Sequence, residues 1–383
     1  MMIYYYNTDW YFVQVFFVNS FCFRGICRFP RVTRIRKELC LLSTFFYAFE
    51  AVVPLVLLIF LGVFFRKIGF FSEEFLSKGY SFSFRVALPC MLFCNVYTIE
   101  NLGKIDFRTV LYAMLIVLLC FLLGCVASVL FIKDPRRRGV VTQCFFRSNC
   151  AVVGISLTEA LGGTAALQCA AVVTAFTIPL FNIFAVIALT IFASDPIDGK
   201  RGLRSVNFGR IGKKILTNPL IIGVGLGLLA LVIRHFLPLN PEGEKIFLLS
   251  RELSVIYKVV ENLGKIASPF MMLLLGGQFS FSAVKSLKKE IAIGVAGRVL
   301  LSPILAFGLG YLLTKTGVIA LGVPEYAAFM AVFATPVAVS SAIMAREMGN
   351  DDILAGQLVV WTSIASVFTI FFFAMAFRTV GLL

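Results

Sequence analysis

The feature that most limits what this chain can fold into is the spacing of its apolar runs. Ten segments stand out, at about residues 49–66, 78–98, 108–131, 139–161, 165–192, 215–236, 256–280, 288–313, 325–346 and 353–377, joined by short connections that carry Gly, Pro and charge. About twenty residues at a rise of about 1.5 Å cross the roughly 30 Å hydrocarbon core of a bilayer. In lipid no water reaches the backbone, so each span must satisfy its own N–H and C=O groups as a helix. The runs do not alternate in polarity, which argues against a barrel. Composition agrees: the chain is 60% hydrophobic and 14% charged, with a mean hydropathy of +0.94. The expectation is an all-α polytopic protein of ten transmembrane helices, with the lipid bilayer as its solvent.

The net charge is +15. A basic balance can signal nucleic acid, but here the charges sit in short loops between apolar runs, so no nucleic-acid partner is expected. One set of loops holds Arg66, Lys67, Lys78, Lys133, Arg136–Arg138, Lys200, Arg201, Arg204, Arg210, Lys213, Lys214, Lys285, Lys288, Lys289 and Arg346, seventeen in all; the alternate set, leaving out residues 1–46, holds seven. The richer set is expected to be cytoplasmic, in a cell membrane, with both ends of the ten-span body outside. The boundaries read as a tail at 1–46, a first five-helix half at 47–193, a basic cytoplasmic loop at 194–214 and a second half at 215–383. The tail conflicts with this orientation, because Arg24, Arg28, Arg31, Arg34, Arg36 and Lys37 fall on its outer side. A segment lying on the membrane surface is one reading of it. We favour another, in which the natural chain starts near Leu41 or Leu42 and the tail is upstream sequence.

Catalytic and metal chemistry find little support. The ten cysteines end at Cys169, and the single histidine, His235, closes a span, so no metal site or cofactor is expected. There is no G-x-x-x-x-G-K-[ST], HExxH or GxSxG, which speaks against an ATP-driven pump and an enzyme. A secondary carrier leads, with an ion channel or an intramembrane enzyme as the alternatives.

The two halves echo each other. "PLVLLIFLG" from Pro54 matches "PLIIGVGLG" from Pro219, and "LPCML" around Pro89 matches "SPFMM" around Pro269. "SNCAVVGISLTEALG" in the fourth segment matches "TPVAVSSAIMAREMG" in the ninth, with Asn149 thirteen residues before Gly162 and Pro336 thirteen before Gly349. An odd number of spans per half inserts the second half upside down, as in secondary transporters. Ser148-Asn149 and Thr335-Pro336 read as helix starts, and Gly162 and Gly349 as helix stops. Each of these spans would then break near mid-membrane and restart. Broken ends present free N–H groups and the positive ends of two dipoles, which is anion-binding chemistry.

At these residues the chain resembles the auxin efflux carrier family of membrane transport proteins. The likeness rests on "VVPLVLLIFLGVFFRKIGFFSEE", "ALPCMLFCN", "FRSNCAVVGISL", "TNPLIIGVGLGLL", "ASPFMMLLLGGQF" and "ATPVAVSSAIMAREMGND", and covers about residues 45–380. It implies two inverted five-helix repeats forming a scaffold and a transport domain, with crossed fourth and ninth helices. It further implies a substrate beside the crossover and elevator-like alternating access. The family's crossover Asn falls on Asn149 and its second-crossover Pro on Pro336. Ser148 stands where plant carriers tend to have Pro, and Ile155-Ser156 where Ile-Pro is common, which leaves auxin itself unsupported as the substrate. The short central loop also looks bacterial.

The candidate substrate-binding set is Arg147, Ser148, Asn149, Thr335, Pro336, Ser340, Asn95 and Gln278. Arg147 is placed to attract a carboxylate, so the expected substrate is a small organic anion. For Arg85 and Arg298, helix pairing or cavity lining is expected, and for Glu261 with Lys265 a pair along one helix face. A proton route could use Glu159 or Glu347. The coupling ion, proton or sodium, and a homodimer are left open.

Overall fold

The computed structural model describes residues 53–98, 107–193, 209, 212–213, 216–238, 246–380 and 382. The tail at 1–46 and most of the loop at 194–214 lie outside the described residues. The described residues all fall within one compact unit.

Among the described residues every regular element is a helix. α1 covers residues 53–67. α2 covers 73–97: the Ser72 hydroxyl accepts the Phe75 N–H at 3.1 Å, Glu73 and Glu74 complement the dipole, and a π turn at Ser83–Ala87 interrupts it. α3 is Phe107–Phe131. α4 is Pro135–Phe146, capped by Asp134 and opened by Pro135. α5 (150–162) starts with a π turn at Cys150–Gly154, and Gly163, at φ 66°, separates it from α6 (164–193). α7 is Pro219–Phe236, capped by Asn218, and α8 is Ser254–Gln278. α9 is Ala283–Lys315, with a π turn at Gly297–Leu301. α10 is Val323–Ala334, α11 Ser340–Glu347 and α12 Asp352–Val380.

Six of these helices, α3, α6, α7, α8, α9 and α12, are long and apolar enough to cross a membrane. α3 shows what they face. Tyr112, Ala113, Ile116, Val117, Cys120, Gly124 and Ser128 are buried, while the exposed side carries Leu111, Leu115, Leu118, Leu122, Val126 and Val129. A helix in water would put polar residues on that second stripe. Here both stripes are apolar, as lipid demands, and the small or hydroxyl-bearing residues turn inward to neighbouring helices. Thr142 on α4, for instance, donates to Ser128 on α3 at 2.9 Å.

The helices pack as two groups. α2 packs most extensively against α7 and α8, and α1 joins them where Gly62 meets Gly276. In the other group α3, α4 and the α5–α6 stretch pack together, α10 lies on α5–α6, and α9 and α11 lie on α12. At one end Arg137 gathers Asp351 at 2.9 Å and Glu290 at 3.1 Å, so the connections before α4, before α9 and after α11 share that end. These are connections that the charge asymmetry assigned to one side. Glu261 and Lys265 pair at 2.7 Å along α8, as expected.

Two details differ from the sequence expectation. The first helix stop is Gly163 rather than Gly162; both Gly163 and Gly349 (φ 74°) take the left-handed turn that glycine makes without strain. Arg85, in the π turn of α2, is exposed, so of the two expected roles helix pairing is not the one it takes.

Candidate functional site

The fourth and ninth apolar segments are both broken, and the breaks touch. α4 ends at Phe146, Arg147 is extended, and α5 restarts at Cys150. α10 ends at Ala334, Thr335 is extended at ψ 159°, and α11 restarts at Ser340. A residue before proline is pushed from helical toward extended backbone, so Pro336 itself accounts for the second break. The two linkers pair as an antiparallel bridge between Ser148 and Val337, and the Asn149 N–H donates to the Pro336 carbonyl at 2.9 Å. Ser148 and Thr335 share a hydroxyl–hydroxyl bond of 2.7 Å, and Val337 N–H donates to the Thr362 hydroxyl at 3.2 Å. Gln143 also donates to the Ser341 carbonyl at 3.1 Å, tying α4 to α11. Backbone groups freed by the breaks therefore find partners across the crossing, as buried polar groups must.

A small cleft of about 50 Å³ lies between this crossing and the α2–α8 side. Leu88, Met91 and Leu92 of α2, Ile178 and Phe181 of α6 and Met271 of α8 give it apolar walls. Cys150 and Ser340, the first residues of the restarted helices, reach it together with Asn149, Ala338 and Val339 just before them, so two helix N-termini border it. Arg147 reaches it from the linker. Its guanidinium donates to Asn182 Oδ1 at 3.0 Å and Ser340 Oγ at 2.8 Å and touches the Met344 sulfur. Arg147 is only 3% exposed, yet all these partners are neutral, and no described carboxylate pairs with it. A buried cation without a counter-ion is costly, and its cost falls when an anion arrives.

A family model described as membrane transport protein matches residues 47–198 and 204–374. The chain belongs to that family, the auxin efflux carriers. No curated protein matches it. Membership makes the chain a multi-pass membrane transporter and gives the cleft a context: a pocket at a helix break in a transport protein.

Of the residues singled out by sequence, Asn95, Arg147, Ser148, Asn149 and Ser340 line this cleft. Thr335 and Pro336 stand behind it: the Thr335 hydroxyl is held by Ser148 and by the Ala331 carbonyl at 2.7 Å, and Pro336 lies in the linker rather than in the first turn of α11. The bridge at Val337 keeps that linker extended. Gln278 is elsewhere, at the end of α8, where it donates to Asp352 and accepts from Arg346 at 2.8 Å. Asn149 does not cap with its side chain among the described residues: its backbone joins the crossing and its amide has no partner there. Neither Glu159 nor Glu347 lines the cleft.

Sequence reasoning missed Asn182 and Ser268, which also line it. Asn182 lies three residues after Pro179 and Ser268 directly before Pro269, within the apolar runs "TIPLFN" and "ASPF". A polar residue within one turn of a proline in an apolar run was the available signal; both prolines lie inside continuous helices.

Proposed function

We propose that this membrane transport protein is a secondary carrier of small organic anions, binding a carboxylate at the crossing and moving it by elevator-type alternating access. The observation that carries the reading is Arg147, a buried guanidinium facing the cleft beside two helix N-termini with no described carboxylate to neutralise it. One cation suits one carboxylate, and the apolar walls from α2, α6 and α8 suit an apolar body behind it. The reading includes ten spans in two inverted repeats, both ends outside a cell membrane, and a transport part (α3–α6 and α9–α12) moving against a scaffold (α1, α2, α7, α8). Two features support it: the division into two packing groups, and the cleft that lies where they meet.

The test is uptake into proteoliposomes against a panel of aromatic and aliphatic carboxylates. A carrier saturates and shows counterflow when the inside is preloaded. Flux that rises linearly with concentration, without counterflow, would point to a channel and sink the proposal.

A further inference from the structure

Arg298, on the π turn of α9, is fully buried and does not reach the cleft. Its Nε donates to the Thr335 carbonyl at 2.8 Å, NH2 to the Val332 carbonyl at 2.8 Å, and NH1 to the Phe146 carbonyl at 3.3 Å. Phe146 ends α4, Val332 lies in the π turn that ends α10, and Thr335 follows it. These are carbonyls left over at two helix C-termini, the negative ends of two half-helix dipoles. No described carboxylate pairs with the guanidinium. The placement depends on α9 coming very close to α4. A Cβ on Gly297 would lie 2.4 Å from the Phe145 ring, so only glycine permits the approach. The π turn then directs the next residue into the break.

In transporters built on broken helices, half-helix C-termini and unwound carbonyls are the groups that hold a coupling cation. Here a side chain fills such a cluster. We propose that Arg298 is a tethered counter-cation that occupies this carbonyl cluster in place of a free metal ion, closing it to sodium. The idea deepens the carrier reading and rests on it only where coupling is concerned. The crossing then holds two guanidinium groups with separate tasks: Arg147 faces the substrate, and Arg298 neutralises the carbonyl ends behind it. A sodium ion would have to displace a fixed positive charge to use these oxygens.

The experiment measures the Tm of the purified full chain without substrate in sodium, potassium and N-methylglucamine chloride at equal ionic strength. The parent should melt at one temperature in all three. Arg298→Ala should melt lower, and millimolar sodium or methylguanidinium should raise its Tm by about 2 °C at tenfold saturation while leaving the parent unmoved. If Arg298→Ala does not fold, two further variants decide: Arg298→Lys, which keeps the charge, should melt above Arg298→Met, which does not. A sodium-specific rise in the parent, an Arg298→Ala protein indifferent to both cations, or Met equal to Lys would each overturn the proposal. No substrate enters this measurement, so its failure leaves the carrier reading intact. That reading fails separately, in the carboxylate uptake assay.

Discussion

Replacing Arg147 with Gln should move stability and binding in opposite directions. Of the five guanidinium N–H donors, two serve Asn182 and Ser340 and one faces Met344. The others are left for a ligand in the cleft. Gln can keep one of the two neutral bonds, so the loss is about 0.5–1.5 kcal/mol. Against that, the variant no longer buries a charge worth about 2.5–3.5 kcal/mol on insertion scales. The substrate-free protein should therefore melt at or above the parent temperature. Binding should suffer, because a hydrogen bond to a charged group contributes about 1.5–3 kcal/mol, or roughly ten- to a hundredfold in Kd. The assay is thermal unfolding with and without the best carboxylate from the uptake panel, giving both the bare Tm and the ligand-dependent shift. A variant that melts well below the parent yet binds carboxylate equally well would show that Arg147 is a strut within the crossing, and the reasoning would fail.

Asn149→Asp puts a carboxylate in the cleft wall where an unpartnered amide now stands. The Asn149 contacts at the crossing are made by its backbone, so the variant should insert and melt nearly as the parent while losing tenfold or more in carboxylate affinity; parental uptake at equal protein level would argue against this cleft as the site. Cysteine accessibility in intact cells should place a reporter at Arg204 inside and one at Leu383 outside; labelling of both from one side would break the odd-span halves.

Much was legible in the sequence, because lipid is a simple solvent. The long apolar runs had to be helices, since a bilayer offers the backbone no alternative partner. The family's motifs, in order along the chain, pointed to membrane transport, and the Ser-Asn and Thr-Pro pairs marked the breaks, the second because a proline acts locally. Among the described residues no side-chain cap by Ser148, Asn149 or Thr335 forms; the Ser148 and Thr335 hydroxyls and the Asn149 backbone are bonded at the crossing instead. What the sequence could not show was which broken end meets which partner. Gln278 and Asn95 are both polar residues in apolar runs, yet Asn95 lines the cleft while Gln278 sits in an ion network with Arg346 and Asp352. Arg147 and Arg298 are likewise both buried arginines, and only the fold assigns one to the cleft and the other to three carbonyls. Local chemistry determined where this chain must bend. The side on which each charge ends up depends on contacts between residues far apart in the chain, such as 147 with 340 and 298 with 335, and only tertiary packing brings those together.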